Sequence, residues 1–77
     1  MKELLEFIVK NIVRNPDDVE ILQEAGEQPE TEVYTIRVQE EDKGIIIGKA
    51  GRTINAIRDI AKIKGIREEK RVIVKVE

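Results

Sequence analysis

The stretch GIIIGKAGRTI, residues 44–54, is the most informative part of this 77-residue sequence. Three isoleucines lead into a short turn that contains two glycines and a lysine, and an arginine follows at once. Glycine lets a turn adopt backbone conformations with positive φ and leaves room for another molecule to approach the main chain. With two cationic side chains beside it, such a turn can hold a phosphate, either of a nucleotide or of a nucleic-acid strand.

The spacing of the glycines excludes the common nucleotide-binding loops. A P-loop has four residues between its glycines, followed by lysine and a serine or threonine. Here three residues separate Gly44 from Gly48, and Ala50 stands where the magnesium-binding hydroxyl belongs. The dinucleotide fingerprint G-x-G-x-x-G is also absent. What remains is a helix, a Gly-x-x-Gly turn and a second helix, in which Gly48 and Gly51 let a sugar-phosphate backbone come close to the chain.

The composition excludes most catalytic chemistry. The chain has no histidine, cysteine or serine, and so it lacks the commonest general base and the commonest nucleophiles. Acidic residues could hold Mg²⁺ or Ca²⁺, but their spacing does not match an EF-hand loop. We therefore expect no cofactor and no enzymatic activity. The catalytic alternative is a small phosphoryl-transfer or hydrolytic enzyme built on threonine, tyrosine, lysine or carboxylates.

The charges are divided unevenly along the chain. Residues 1–42 contain four basic and twelve acidic side chains, a net charge of −8, whereas residues 43–77 contain ten basic and four acidic ones, a net charge of +6. The overall charge of −2 therefore conceals a basic C-terminal half. Such asymmetry is typical of a face that binds a polyanion, although two solvated halves that attract each other would show it as well.

The first thirteen residues, MKELLEFIVKNIV, interleave charged and apolar side chains. A secretory signal needs an uninterrupted apolar run of about 7–15 residues, and a membrane span needs about 20. We therefore expect a cytoplasmic protein that does not enter a membrane.

Apolar periodicity and turn residues predict the order α-β-β-α-α-β. The predicted elements are a helix over residues 2–14, a strand over 19–21, a turn over 25–30, a strand over 33–38, a short helix over 43–47, a helix over 53–64 and a final strand over 71–76. The first two strands are expected to pair as a hairpin. This order in so short a chain implies an α+β domain whose helices pack on one face of the sheet.

Several single residues have a predicted structural role. Asp42 is expected to cap the short helix, and Gly65 stands where a C-terminal helix cap belongs. Phe7, on the first helix, is expected in the core. Arg58 and Lys62 lie four residues apart on one helix face; we assign them to a solvated face, with an extension of the basic surface as the alternative.

Residues 46–54, IIGKAGRTI, resemble the signature of the K-homology (KH) domain: a hydrophobic pair, then G-x-x-G, two further residues and an isoleucine. The predicted order of helices and strands is similar to the type II, prokaryotic arrangement of that fold. The resemblance extends over the whole chain and is strongest to the small stand-alone bacterial KH proteins of KhpA type. It implies a type II KH-like α+β fold with a three-stranded mixed sheet, in a single KH domain that spans residues 1–77.

The resemblance also implies a function and a set of binding residues. KH domains clamp about four nucleotides of single-stranded nucleic acid over the GXXG loop, so the chain is expected to bind single-stranded RNA, or single-stranded DNA, as an RNA chaperone or post-transcriptional regulator. GIREEK, residues 65–70, corresponds to the variable loop. By analogy, phosphates contact the four loop residues Gly48, Lys49, Ala50 and Gly51, with Arg52 beside them. Lys43 lies at the groove mouth, and the bases rest on Ile47 and Ile54.

Low aromatic content favours this assignment over other RNA-binding folds. RRM domains and cold-shock barrels stack bases on exposed aromatic side chains, and the chain has only Phe7 and Tyr34. The main alternative is a protein-interaction or dimerisation domain that has the KH fold and does not bind nucleic acid. The resemblance also implies partners, in the form of a homodimer or a heterodimer with a second KH protein.

Overall fold

The structure, a computed structural model, describes residues 1–77 and contains three α-helices and three β-strands in the order α-β-β-α-α-β. This order confirms the predicted type II KH-like α+β fold. Two short 3-10 turns, Pro16–Asp18 and Lys49–Gly51, link elements. The elements are α1 Lys2–Lys10, β1 Glu20–Ala25, β2 Thr31–Arg37, α2 Glu40–Ile47, α3 Arg52–Arg67 and β3 Arg71–Val76.

The three strands form one mixed sheet in the order β1-β2-β3. β1 and β2 are antiparallel and form the predicted hairpin, with Ile21 opposite Ile36. β3 runs parallel to β2, with Val74 opposite Tyr34. β2 is therefore the central strand, and both β1 and β3 have a free edge.

The alternation of side chains along the strands places one apolar row of the sheet under the helices. All three helices contribute to the same core, which confirms that they pack on one face of the sheet. A fully buried Leu, Ile or Val side chain contributes about 1.5–3 kcal/mol relative to an exposed one, so this small set supplies most of the apolar stabilisation. Its ten residues are Leu5, Val9, Ile21, Tyr34, Ile36, Ile46, Ile54, Ile57, Ala61 and Val74.

Asp42 does not cap α2, contrary to the prediction. α2 begins two residues earlier, and the Asp42 side chain is completely buried. Its carboxylate accepts hydrogen bonds from the backbone N–H groups of Arg14 and Asn15, at 3.2 and 3.1 Å, and from the Asn15 side chain at 3.0 Å. Burial would raise the pKa of Asp42, but these hydrogen bonds, first that of the Asn15 side chain, lower the pKa below its ordinary value. The residue fixes α2 to the segment that follows α1.

Gly65 is not the C-terminal cap of α3, again contrary to the prediction. The helix continues to Arg67, and Glu69, not a glycine, adopts the left-handed conformation that ends the turn, with φ 57°. Gly65 lies in the helix because of close packing: a Cβ atom there would lie 2.8 Å from the carbonyl oxygen of Lys70 and 2.8 Å from a methyl group of Val72. The loop predicted over residues 65–70 is therefore reduced to residues 68–70.

Two predictions about α1 are also wrong. The helix ends at Lys10, four residues before Arg14, and Asn11 closes its last turn by donating from its side chain to the carbonyl of Phe7. Phe7 is not in the core, because 68% of it is exposed. Leu5 and Val9 face the sheet instead, and Phe7 lies on the opposite side of the helix.

None of the helices is long and apolar enough to cross a bilayer.

Candidate nucleic-acid interface

The turn between α2 and α3, residues 48–51 (the GKAG loop), has a backbone that only a few residue types can adopt. Gly48 has φ 74° and ψ 173°, and Gly51 has φ 76° and ψ 12°. Ala50 is also left-handed, with φ 55° and ψ 27°, which costs an alanine about 1–2 kcal/mol relative to the right-handed form. The two glycines therefore occur where the chain requires positive φ.

Gly48 is also fixed by its neighbour on α3. A Cβ atom at Gly48 would lie 2.8 Å from the amide nitrogen of Thr53 and closer still to its hydroxyl oxygen. At Gly51, the nearest atom to an added Cβ is the Asn55 side-chain nitrogen at 3.6 Å, an ordinary van der Waals contact. Gly48 thus brings the end of α2 against the start of α3, whereas the space beside Gly51 stays open.

The GKAG loop is electropositive and accessible. Lys49, Ala50 and Arg52 are exposed, and neither cation is part of any of the ion pairs in the structure. No side chain caps the N-terminus of α3, so the positive end of the helix dipole is directed toward the loop. Backbone amides at a helix start, combined with two free cations, form a surface that suits a phosphate.

The other three predicted site residues lie in different environments. Ile47, the last residue of α2, is 43% exposed immediately before the loop. Lys43 is half-buried on α2 and its ammonium group pairs with Glu40 at 3.1 Å. Ile54 is 5% exposed and belongs to the core. The structure thus brings Ile47 and the five residues from Gly48 to Arg52 together, while it directs Ile54 inward.

A groove of about 670 Å³ runs between α3 and the free edge of β3. The two elements run in opposite directions along it, because Arg58 contacts Val74 near the middle and Gly65 packs against Val72 near the variable loop. The N-terminal end of α3 therefore connects the groove to the GKAG loop. Aliphatic side chains contribute the apolar part of the lining, which consists of Ile66, Val72, Ile73 and Val74.

The charged lining of the groove is almost entirely basic. Five cations and one carboxylate, Asp59, line it, and none of these cations takes part in an ion pair. By contrast, Arg37, on the central strand, is paired with Glu20 and Glu77. Apart from Arg67, the cations of the C-terminal half that have no ion-pair partner thus lie in the groove and at the GKAG loop. The groove cations are Arg58, Lys62, Lys70, Arg71 and Lys75.

Sequence reasoning missed part of this groove. Arg58 and Lys62 are exposed, as expected of a solvated face, and they also line the groove opposite the β3 edge. The Nε–H of Arg58 donates to the carbonyl oxygen of Val74 at 3.1 Å. Ile66, which is 65% exposed, was not identified either. An isoleucine at helical spacing from Arg58 and Lys62, on the charged side of α3, is the sequence signal that could have indicated a binding surface there.

A second apolar surface lies on α1 and α3 away from the groove. Leu4, Ile60 and Ile63 line a depression whose charged residues are Lys64, Arg67 and Glu68. Ile60 is 44% and Ile63 is 63% exposed. Phe7 lies one helical turn after Leu4, so the two share a face of α1. We refer to Leu4, Phe7, Ile60 and Ile63 as the apolar face.

Comparison with known proteins agrees with the expected KH family. A sequence model of the family described as KhpA/KhpB, KH domain, matches residues 2–76. The chain is 42% identical over 76 residues to the RNA-binding protein KhpA of Clostridium perfringens and also to that of Caldanaerobacter subterraneus subsp. tengcongensis, covering 99% of both chains in each case. It is 47% identical over 60 residues to the KhpA of Thermotoga maritima, covering 75% of each chain. No solved structure matches the chain at a significant level. The matches over nearly the full length show that the chain belongs to the KhpA/KhpB family of KH-domain proteins.

Proposed function

We propose that this chain binds single-stranded RNA without catalysis, as a single KH domain that acts in the cytoplasm as an RNA chaperone or post-transcriptional regulator. The observation that carries the proposal is the distribution of free cations. Lys49 and Arg52 at the GKAG loop, and the five cations of the adjoining groove, have no intramolecular ion-pair partner. The names of the relatives, RNA-binding protein KhpA, support RNA as the ligand.

The proposed mechanism divides the site into two parts. The GKAG loop holds backbone phosphates, because small residues at Gly48, Ala50 and Gly51 let the strand approach the start of α3. The groove beside β3 holds the bases on its aliphatic lining, of which Ile66 is the most exposed member. Phosphate contacts position a strand and base contacts select it, so we expect affinity to come mainly from the loop and the groove cations. Ile47 extends the apolar surface at the loop, Lys43 adds charge when its pair with Glu40 opens, and Ile54 supports the floor from within the core.

The test is fluorescence anisotropy with a labelled single-stranded RNA at several salt concentrations. The double substitution Lys49→Asp, Ala50→Asp replaces the free cation and places a carboxylate at a left-handed position, which aspartate tolerates better than most residues. We expect binding at low salt to weaken by roughly tenfold or more. The salt dependence should also become shallower, because a single strand releases about 0.7 counterion for each phosphate contact and the variant makes fewer such contacts.

A matched control makes the same change in net charge elsewhere. Lys2→Asp, Gln23→Glu alters two exposed residues, one on α1 and one on β1, the strand at the opposite edge of the sheet from β3. This variant should bind almost as the native chain does. Equal weakening by the two variants, with both folded by circular dichroism, would show that only overall charge matters and would remove the loop from the proposal. An equimolar single-stranded DNA of the same sequence tests the preference for RNA.

A second candidate function, assembly with another KH domain, is favoured by the apolar face. We propose that this face associates with a second copy or with a second KH protein, because three large side chains on it are 44% exposed or more and charged residues border it. Two grooves held together in this way would bind one strand with higher avidity than one groove.

Two isoleucines on α3 allow assembly and RNA binding to be separated. Ile63, on the apolar face, and Ile66, in the groove, are 63% and 65% exposed, so neither substitution disturbs the core. Ile63→Glu should abolish self-association in sedimentation velocity and leave RNA binding by each domain intact. Ile66→Glu should weaken RNA binding and leave self-association intact. A native chain that stays monomeric at high micromolar concentration would contradict the homodimer.

A further inference from the structure

The face of the sheet that is turned away from the helices (the outer face) belongs neither to the core nor to the apolar face. Side chains of alternate strand residues point to opposite faces of a sheet, and Tyr34 and Val74 belong to the core. Val33 and Ile73, their neighbours in sequence, therefore lie on the outer face. The strand register places Glu24 of β1 level with these two residues. The outer face thus has an apolar centre on β2 and β3, with a carboxylate on its β1 side.

A depression of about 540 Å³ on the outer face lies between acidic and basic side chains. Glu24 and Glu27 line it on the side of β1 and the turn that follows, whereas Arg71 and Lys75 line it on β3. All four are exposed, and none takes part in an ion pair. β2 lies between the two rows, so their backbones are roughly 10 Å apart. The outer face therefore presents one row of free negative charge and one row of free positive charge.

Such a face is complementary to that of a second copy of the chain. A two-fold axis parallel to the strands, placed between two outer faces, lays β2 over β2 and β1 of each copy over β3 of the other. Because Glu24 is level with Ile73, it comes between Arg71 and Lys75 of the second copy, about 7 Å along the strand from each. An axis across the strands would instead lay β1 over β1 and oppose like charges. The charges therefore select one of the two ways in which the faces can meet.

The contact between two outer faces is small. Three strands of six or seven residues form a face of roughly 14 Å by 20 Å, or about 300 Å² per copy. A stable complex buries about 800 Å² per partner, so the outer faces associate too weakly to be detected at micromolar concentration. Salt screens exposed ion pairs, so the association falls as salt rises. The helices lie on the other side of the sheet, and copies joined through the apolar face therefore keep their outer faces free.

The two cations of the outer face also belong to the groove. Arg71 and Lys75 line both depressions, because β3 is the edge strand that lies between them. We propose that the outer face binds the outer face of a second copy through this two-fold contact, and that the contact competes with RNA for Arg71 and Lys75. The contact itself does not depend on the proposed function, whereas the competition rests on it.

A charge-swap experiment tests the contact without RNA. All chains carry Ile63→Glu, which removes association through the apolar face. The basic variant adds Glu24→Lys, Glu27→Lys and has cations on both sides of the outer face; the acidic variant adds Arg71→Glu, Lys75→Glu and has carboxylates on both sides. Each variant alone should self-associate at least about tenfold more weakly than the Ile63→Glu chain, because like charges then meet. An equimolar mixture of the two should recover the association, because each supplies the charges that the other lacks.

The readout is the ¹⁵N–¹H spectrum at millimolar protein concentration. The amides of Leu22 and Val33 lie on β1 and β2, outside the groove lining, so in the Ile63→Glu chain their shifts should grow with concentration at low salt and vanish at high salt. A matched control, Glu3→Lys, Asp17→Lys, makes the same change in net charge as the basic variant at two exposed residues outside the sheet. Mixed with the ¹⁵N-labelled acidic variant, it should leave both amides unshifted, because one half of each contact then repels. If the swapped variants do not associate when mixed, or if the control mixture associates as strongly, the contact is refuted.

The competition is tested by adding U7 RNA, a strand of seven uridines, to the Ile63→Glu chain. The amides of Leu22 and Val33 should return to their positions in dilute protein as RNA occupies Arg71 and Lys75. If U7 binds and the outer-face shifts persist, the competition is refuted and the proposed function stands. If U7 does not bind, the proposed function and the competition both fail, and the charge-swap result alone decides the contact.

Discussion

Alanine substitutions at Gly48 and Gly51 should differ sharply in their effect on stability, although both glycines have positive φ. At Gly48, alanine would adopt a conformation close to the region reserved for glycine, at a cost of about 1–3 kcal/mol. Its Cβ would also press on Thr53, where the 2.8 Å approach is to a backbone nitrogen of α3 that cannot move freely. Overpacking of this kind costs about 1–3 kcal/mol.

The loss of freedom in the unfolded chain offsets only part of these costs. Replacing glycine by alanine restricts the unfolded state and returns about 0.4–1 kcal/mol. The free energy of unfolding should therefore fall by about 3 kcal/mol for Gly48→Ala. At Gly51 the left-handed conformation costs about 1–2 kcal/mol and the added methyl group meets no close atom. The net loss there should be about 1 kcal/mol or less.

Urea denaturation followed by circular dichroism measures both losses, with thermal melting as a second readout. One kcal/mol corresponds to roughly 4–8 °C in a domain of this size, so a difference of about 2 kcal/mol should make Gly48→Ala melt about 8–16 °C below Gly51→Ala. Gly44→Ala is the matched control, because Gly44 lies in α2 with no atom within 4 Å of an added Cβ. It should raise stability by about 0.5–1 kcal/mol. Equal losses at Gly48 and Gly51 would refute the close packing of α2 on α3.

Three further predictions concern single residues outside the loop. Glu69→Gly should raise the free energy of unfolding by about 0.5–1 kcal/mol in urea denaturation, because Glu69 has φ 57° and glycine adopts that conformation without strain; a destabilised variant would contradict this. The hydrogen bonds that lower the pKa of Asp42 stabilise the fold at pH values above the ordinary pKa of aspartate, near 4, so the native chain should lose stability as the pH falls below that value. Asp42→Asn should be less stable at pH 7, and its stability should depend less on pH in the acid range. Parallel pH profiles of the two proteins would count against a role for the buried carboxylate. Burial, together with the hydrogen bond to Glu32, raises the pKa of Tyr34 to about 12. The stability that this shift contributes is complete below about pH 10, the unfolded value, and is lost as the pH rises toward 12. Absorbance at 295 nm should therefore show Tyr34 titrating near 12 in the folded protein and near 10 in urea, and equal midpoints in the two conditions would contradict this.

The type of each element could be predicted from the sequence because it depends on local patterns. Strand alternation, helical periodicity and the Gly-x-x-Gly turn are all contained within a few residues. The boundaries of α2 and α3 depended on distant contacts instead. The Asp42 carboxylate appears from sequence to be a helix cap, but it binds backbone groups of Arg14 and Asn15, 27 or 28 residues away. Gly65 resembles a helix terminator, but it is required by the packing of α3 on Val72 of β3.

The candidate site likewise has one part that local sequence predicts and one part that depends on distant contacts. The GKAG loop is contiguous, so its residues could be named from sequence, and the structure places Lys49 and Arg52 at its surface. The groove is assembled from α3 and β3, and helical periodicity alone cannot show which face of α3 lies beside a strand edge. For this reason the sequence assigns Arg58 to a solvated face, or to an extended basic surface, and does not show that it lies beside β3. Similarly, the periodicity of α1 does not determine whether Leu5 or Phe7 faces the sheet.

The most direct test of the account is a residue-level map of binding on the native protein. A ¹⁵N–¹H spectrum of the chain, titrated with U7 RNA, reports every backbone amide separately. The largest shifts should occur at the amides of Gly48 and Gly51 in the GKAG loop and at those of Lys62 and Val74 in the groove, while the amide of Phe7 on α1 stays unchanged. Shifts confined to α1 and β1, or none at saturating RNA, would show that the GKAG loop and the β3 groove do not form a nucleic-acid interface.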